Sequence, residues 1–125
     1  MPEKTGVESK APLFTEDEAE FLAENFIGRL ATSSISGQPH VVPVAYRFDG
    51  QAIEFGGWNL TNSLKFRNMS TNPKVAFVVD ELVSQKPWKV RGVEVRGVSR
   101  AERSQSGTPY VRIAPRKVRS WGFQE

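Results

Sequence analysis

The sequence lacks several residue types on which catalytic and metal sites depend. Its 125 residues include no cysteine and a single histidine, His40. Without cysteine the chain forms neither disulfides nor thiolate nucleophiles, and one histidine leaves little for a zinc or transition-metal site. No nucleophile motif flanks His40. We therefore predict no metal site and expect any reaction to depend on a bound cofactor.

Long apolar runs are also missing. No segment approaches the length that crosses a bilayer, and the first ten residues, "MPEKTGVESK", have no signal-peptide core. We expect a cytoplasmic protein that does not contact membranes. The length and the 38% hydrophobic content suit one domain over residues 13–125, preceded by a flexible leader over 1–12.

Charge is distributed unevenly along the chain. Residues 1–85 contain seven Lys/Arg and eleven Asp/Glu, a balance of −4, whereas residues 86–125 contain ten and three, a balance of +7. The last third therefore presents a basic surface that suits phosphates, nucleic acid or an acidic partner. Nucleic acid is disfavoured, because barrels that bind single strands interleave cations with aromatic side chains and only Trp88 lies near this stretch.

Local patterns predict a helix followed by strands. Thr15 and Glu18 have the spacing of a capping box, and an apolar stripe of Ala19, Leu22, Ala23 and Phe26 continues from it. Three strands in a meander are predicted over "GRLATSSI", "PHVVPVAYRF" and "RFDGQAIEF", the last around an Asp-Gly turn. Pro43 cannot donate to a ladder, which predicts an edge or a bulge there.

The second half predicts one more helix and three more strands. The helix lies within "NSLKFRNMSTNP" and is capped by Asn62 or Ser63. The strands are "KVAFVVDEL", expected to be fully buried, the long "WKVRGVEVRGVSRAE", and "TPYVRIAP". Six strands and two helices predict a mainly β (α+β) antiparallel barrel with flanking short helices. A long edge strand over residues 88–100 would need cover from a second copy of the chain.

The start of the second helix has the chemistry of a phosphate site. Phosphate is held by free N–H groups at a helix start, by a hydroxyl and by a cation. Ser63, the amides of Leu64 and Lys65, and the Lys65 ammonium meet this description, with Arg67 as a second candidate cation. A plain helix cap with a solvated lysine accounts for the same residues.

The stretches "GRLATSSISGQPHVVPVAYRFDGQAIEFGGW" and "SLKFRNMSTNPKVAFVVD" resemble the pyridoxamine 5′-phosphate oxidase superfamily of FMN-binding split β-barrels. The resemblance covers Phe14 to Gly122. It implies a six-stranded antiparallel split β-barrel, a homodimer, and FMN or the deazaflavin F420 bound at the dimer interface. The short chain and "RKVRSWG" are most similar to the F420-dependent reductases of this superfamily.

The resemblance also implies a set of cofactor-binding residues. Val42, Pro43 and Val44 would line the cofactor ring. Gly56, Gly57 and Trp58 would lie alongside the ribityl chain and phosphate. Ser63, Leu64, Lys65 and Arg67 would bind the phosphate. Trp88, Arg91 and Trp121 would approach the ring or the rim of the site from the partner subunit, and His40 would hydrogen-bond the cofactor or serve as an ordinary strand-end residue.

Two differences from the pyridoxamine phosphate oxidases argue against one function of this superfamily. Pyridoxamine phosphate oxidases have arginine where this chain has His40, and their C-terminal Arg-x-His element is absent, which disfavours vitamin B6 oxidation. The resemblance implies hydride transfer between F420 and a conjugated C=C bond of a small organic substrate. The alternatives are an FMN-binding oxidoreductase or flavin reductase, and a noncatalytic flavin or haem carrier. The proton that completes the reduction would come from solvent, Tyr46, Tyr110 or His40.

Overall fold

The computed structural model of the protein describes residues 13–123. The predicted leader, residues 1–12, lies outside this range. Within it are two α-helices and seven strands: α1 (Glu16–Glu24), β1 (Ile27–Ser33), β2 (Pro39–Ala45), β3 (Arg47–Phe48), β4 (Ile53–Phe55), α2 (Leu64–Thr71), β5 (Lys74–Gln85), β6 (Trp88–Arg103) and β7 (Pro109–Trp121). A 3₁₀ turn, Leu60–Asn62, precedes α2. Neither helix is long and apolar enough to cross a lipid bilayer.

The strands form one antiparallel sheet whose two edges approach each other. The order is β2-β1-β5-β6-β7-β4-β3, so β2 and β3 lie at opposite edges. A single residue, Tyr46, separates them in the chain. The sheet must therefore curl until its edges are neighbours, which confirms the predicted split-barrel architecture.

The predicted second strand is broken at Tyr46, and this gives seven strands instead of six. The Tyr46 amide donates to the carbonyl of Phe26 at 3.0 Å, and the Tyr46 hydroxyl donates to the carbonyl of Leu22 at 2.7 Å. The amide bond extends the register of β1 and β2 by one residue, and the hydroxyl bond fixes the Tyr46 side chain against α1. The chain then enters the β3–β4 hairpin. Both hairpins of the predicted meander form, β1 with β2 and β3 with β4, but the break places them at opposite edges of the sheet.

The local sequence patterns correctly predicted both helix starts and the hairpin. Thr15 and Glu18 form the predicted capping box. Ser63 caps α2 by accepting from the Phe66 amide at 3.3 Å. The Asp49-Gly50 hairpin forms, with Gly50 at φ +93, and Pro43 lies on the edge strand β2 as expected.

The face of α1 that packs on the barrel differs from the predicted stripe. Phe21 and Leu22 are buried, whereas Phe26 lies beyond the helix and is 74% exposed. Glu18 is buried as well, because one carboxylate oxygen accepts from the Thr15 amide and the other from the Ser120 hydroxyl. The helix therefore ends at Glu24, whereas the predicted apolar stripe extended to Phe26.

The core fills the inside of the barrel, and β5 contributes only one of its faces to it. Val75, Phe77 and Val79 point inward and are buried, while Ala76 and Val78 point outward and are half-buried. The expectation of a fully buried strand is therefore wrong for a single chain. Strand β6 is not an edge either, since it pairs with both β5 and β7.

Candidate functional site

An open cleft of about 630 Å³ lies where the two edges of the sheet approach each other. Its walls come from β2, β3, β4, the start of α2 and the turn that leads into β7. The lining residues are Pro43, Val44, Ala45, Tyr46, Arg47, Glu54, Phe55, Gly56, Gly57, Trp58, Lys65, Ser104, Thr108, Pro109 and Tyr110. Five separate chain segments thus converge on one space, which is large enough for a drug-sized molecule.

Six of the residues predicted to bind a cofactor line this cleft. They are Pro43, Val44, Gly56, Gly57, Trp58 and Lys65. Ser63 and Leu64 lie beside it, as the cap and first residue of α2. The sequence motif "GGW" and the residues around Lys65 are therefore brought together by the fold, although their cofactor contacts stay predictions.

Lys65 is the cation at the α2 end of the cleft. It is half-buried and forms no salt bridge with any residue of 13–123. The neighbouring N–H groups of Leu64 and Lys65 lie in the first turn of α2, where the helix offers them no acceptor. An unpaired ammonium beside free helical amides can receive an anionic group such as phosphate.

Two glycines and a tryptophan form the wall next to this cation. Gly57 has φ +122, a backbone conformation that other residues rarely adopt. Apart from its two chain neighbours, no heavy atom of residues 13–123 lies within 4 Å of where its Cβ would be. Trp58 is 93% exposed. A ligand can therefore approach the backbone closely at Gly57 and still contact a large aromatic surface.

The remaining predicted residues do not line the cleft. Val42 points into the core, and His40 lies opposite Thr32 on β1, with a buried Nδ1 that lacks a hydrogen-bond partner within residues 13–123. Arg67 is exposed on α2, two positions beyond Lys65, and thus projects in a different direction. Trp88 is 68% exposed at the start of β6.

Arg91 and Trp121 are engaged elsewhere. The Arg91 guanidinium lies 5.2 Å from the centre of the Phe21 ring and 5.6 Å from that of Phe123, and its Nε donates to Glu81 at 2.9 Å. Trp121 pairs with Gly92, where a side chain would collide with the indole. Within one chain both residues therefore support the packing around α1 and β7.

A chain of ion pairs at the other end of the cleft was missed by sequence reasoning. Glu54 accepts from Arg47 at 2.9 Å and from Arg112 at 2.6 Å, and Arg112 also donates to Asp49 at 2.8 Å. The pairing of β4 with β7 places Glu54 opposite Arg112. These residues are 58 positions apart in the sequence, and no local signal indicates that register.

This network holds Asp49 in its ionised form. Partial burial raises the pKa of the Asp49 carboxyl, but hydrogen bonds from Arg112 and from the amides of Ala52 and Gln51, together with the Arg112 charge, outweigh it. The net result is a pKa lowered from 3.8 to about 2. The same carboxylates raise the pKa of Arg112 further above its ordinary value.

We expect Asp49→Asn to flatten the acid end of the stability profile. Because the folded pKa lies below the unfolded one, the contribution of Asp49 is complete above about pH 4 and disappears as the pH falls toward 2. The pair is partly exposed, so the difference should not exceed about 1 kcal/mol. Urea unfolding from pH 2 to 5 measures it, with Glu24→Gln on exposed α1 as the control. Parallel profiles for Asp49→Asn and the wild type would contradict this account.

Two tyrosines border the cleft in different states. Tyr46 is buried, which raises its pKa to about 12, and its hydroxyl is directed at the Leu22 carbonyl. Tyr110 is half-buried, and the Arg47 guanidinium lies 5.8 Å from the centre of its ring. The Tyr110 hydroxyl makes no hydrogen bond to the part of the chain that the structure describes.

The arrangement as a whole fits a planar cofactor that carries a phosphate. The unpaired Lys65 ammonium and the α2 amides suit the phosphate, the open backbone at Gly57 suits a close-lying chain, and Trp58 offers a flat apolar surface. The ion-paired end near Glu54 leaves room for a second, smaller molecule.

Comparison with known proteins gives consistent results. The family model of pyridoxamine 5′-phosphate oxidase matches residues 14–122. A 5a,11a-dehydrotetracycline/5a,11a-dehydrooxytetracycline reductase of Streptomyces rimosus subsp. rimosus is 37% identical over 120 residues, which is 89% of this chain and 84% of that protein.

Solved structures share the fold at lower identity. An FAD-binding protein of Mesorhizobium loti has a TM-score of 0.70 and 21% identity, over 86% of this chain and 92% of its own. An F420 reductase has a TM-score of 0.68 and 21% identity, over 85% and 98%. At these identities the similarity concerns the fold alone.

Proposed function

The chain belongs to the pyridoxamine 5′-phosphate oxidase family, and from this premise we propose that it is an F420-dependent oxidoreductase. It transfers a hydride between the deazaflavin and a conjugated C=C bond of a small organic molecule. The observation that carries the proposal is the cleft, in which an unpaired Lys65 stands beside free helical amides and an open glycine backbone. The 37% identical reductase supports the reaction class.

The residues of the chain have three tasks in this reaction. When bound, the reduced deazaflavin supplies the hydride, so no side-chain base or nucleophile is required for that step. Lys65 and the amides of α2 hold the phosphate, Gly57 and Trp58 fix the adjoining chain and ring, and the Arg47–Glu54 end receives the substrate. Orientation of two bound molecules in one cleft is itself a large source of rate.

A reducing assay tests this function. With F420H₂ and either 5a,11a-dehydrooxytetracycline, a substrate named for the relative, or cyclohex-2-enone, we expect acceptor-dependent formation of oxidised F420. Turnover with reduced FMN instead would favour the alternative of an FMN-binding oxidoreductase or flavin reductase. Binding of F420 without oxidation by any acceptor would favour a noncatalytic carrier.

We also propose that the protein is a homodimer, joined through the outer face of the sheet. A groove of about 500 Å³ crosses this face, with an apolar floor that includes Ala31, Ala76 and Val98. The sequence of β5 is apolar on both faces, yet in one chain its outer face is only half-buried. A second copy would cover that face and account for the pattern.

The charges on this face suit contact with an identical surface. The outward residues include the ion pairs Arg29–Asp80 and Arg96–Glu94, so both signs of charge are present. In a contact related by a two-fold axis, each patch meets its own copy, and mixed charges can then pair across the interface.

Ala76→Arg should convert the dimer to a monomer. Ala76 lies between Ala31 and Arg96 in the strand register, so an arginine there would fill the groove and meet a like charge. Sedimentation should give twice the 14.0 kDa chain mass for the wild type and one chain mass for the variant. Ala23→Arg, on the exposed side of α1, is the matched control. A monomeric wild type, or a folded Ala76→Arg that stays dimeric, would exclude this interface.

A further inference from the structure

Reduction of a conjugated C=C bond needs a proton as well as a hydride. After the hydride adds to carbon, the bonding electron pair of the double bond moves toward the carbonyl and leaves an enolate. A general acid at the site accelerates its protonation. The sequence leaves Tyr46, Tyr110, His40 and solvent as possible proton donors. The structure distinguishes among them by position and hydrogen bonding.

Two of these residues are badly placed to donate. The hydroxyl of Tyr46 already donates to the Leu22 carbonyl at 2.7 Å inside the protein. His40 lies on β2 opposite Thr32 and does not line the cleft. Tyr46 would have to give up its bond to Leu22 before it could donate to a molecule in the cleft, and His40 lies off the cleft.

Tyr110 meets the requirements that the other two fail. It lies at the start of β7 on the wall of the cleft. Its hydroxyl has no hydrogen-bond partner within residues 13–123, so the proton is not committed to another group of that range. The guanidinium of Arg47 lies 5.8 Å from the centre of the ring and holds it at the wall of the cleft through a cation–π contact.

The other protic groups of the cleft are poorer acids or are already used. Glu54 is a carboxylate that accepts from both Arg47 and Arg112. Ser104 and Thr108 are aliphatic hydroxyls, each within 3.3 Å of the Ser106 hydroxyl. Lys65 stands at the α2 end, where the proposed function assigns it to the phosphate.

We propose that Tyr110 is the catalytic acid of the reduction, an inference that rests on the proposed function. The carbon that gains the hydride forms one new C–H bond with the electron pair supplied by the reduced deazaflavin. The Tyr110 O–H bond then breaks, its proton joins the enolate, and its electron pair stays on the phenolate oxygen. Water later returns a proton to Tyr110, so the net addition is one hydride and one proton.

Tyr110→Phe tests this role, because it removes the proton and leaves the ring. With F420H₂ and cyclohex-2-enone, kcat should fall about 10²- to 10⁴-fold, the usual contribution of a general acid. KM and the Kd for F420 should stay close to the wild-type values, since packing is preserved. Fluorescence titration with F420 gives the Kd of both proteins independently of turnover.

A second readout uses no turnover. Tetranitromethane should nitrate Tyr110 and spare the buried Tyr46, and saturating F420 with cyclohex-2-enone should protect Tyr110. Equal nitration of Tyr110 in the presence and absence of these ligands would place its hydroxyl away from the reacting molecules and overturn the inference.

The wild type and Tyr110→Phe together distinguish a wrong role for Tyr110 from a wrong proposed function. If the wild type binds F420 and reduces the acceptor but Tyr110→Phe has unchanged kcat, the role of Tyr110 is wrong and the proposed function stands. If the wild type does not bind F420, both are wrong.

Discussion

Replacing Lys65 with alanine should weaken F420 binding about 10- to 150-fold, which corresponds to about 1.5–3 kcal/mol for a lost hydrogen bond between charged groups. Lys65 lines the cleft beside the free amides of α2 and has no ion-pair partner among residues 13–123. Its charge is therefore available to a phosphate. The measurement is the Kd from fluorescence titration of the wild type and the variant.

Two further substitutions sharpen this prediction. Lys89→Ala removes the same charge from β6, at a site that does not line the cleft, and should leave the Kd unchanged. Arg67→Ala should have a smaller effect than Lys65→Ala, because Arg67 is exposed and lies off the cleft, in contrast to the sequence-based assignment of a second phosphate cation. Equal Kd values for folded Lys65→Ala and the wild type would remove Lys65 from the site.

Phe77→Ala should lower the free energy of unfolding by about 3–5 kcal/mol, the usual cost of truncating a buried phenylalanine. Phe77 is 1% exposed, and its ring meets the edge of Tyr46 at 5.2 Å between centres. This contact lies directly beneath the break between β2 and β3, so its loss weakens the barrel where the cleft forms. Urea unfolding followed by circular dichroism measures the change.

Gly28 and Phe26 provide the comparisons for this prediction. A Cβ at Gly28 would collide with the Phe77 ring, so Gly28→Ala alone should lower the free energy of unfolding by about 1–3 kcal/mol through overpacking. Combined with Phe77→Ala it should cost less than the sum, because the new methyl group enters the vacated space. Phe26→Ala, on a ring that is 74% exposed, should change stability by less than about 0.5 kcal/mol. Additive effects of Gly28→Ala and Phe77→Ala would contradict this packing.

Features encoded by neighbouring residues could be predicted from the sequence. The Thr15–Glu18 capping box, the Ser63 cap and the Asp49-Gly50 hairpin each involve residues within four positions of one another. The grouping of Gly56, Gly57, Trp58 and Lys65 was also predictable, because a short turn and one helix start bring them together and a family resemblance marked them.

Features that depend on distant contacts could not be predicted in this way. Tyr46, where the chain leaves β2 for the β3–β4 hairpin, is fixed by hydrogen bonds to Leu22 and Phe26, which precede β1 in the sequence. The central place of β6 depends on the order of all the strands, and an edge strand has the same local pattern. The outward face of β5 was misassigned because an apolar surface that is partly exposed in one chain has the composition of a core.

In the candidate site, too, the residues that depend on distant contacts could not be predicted from the sequence. Arg47, Glu54 and Arg112 meet only because β3, β4 and β7 are neighbours, and Tyr110 joins them from the start of β7. Each residue alone looks like an ordinary strand residue. The part of the cleft where the substrate is expected to bind could therefore be identified only from the three-dimensional structure.

The most direct test of the account is a pair of fluorescence titrations of the purified protein, one with F420 and one with FMN. We expect saturable binding of F420, tighter than that of FMN, because the charge balance of +7 in the last third of the chain favours a cofactor with an anionic tail. Tighter binding of FMN would move the function to a flavin oxidoreductase, and binding of neither would contradict the assignment of the cleft as a cofactor site.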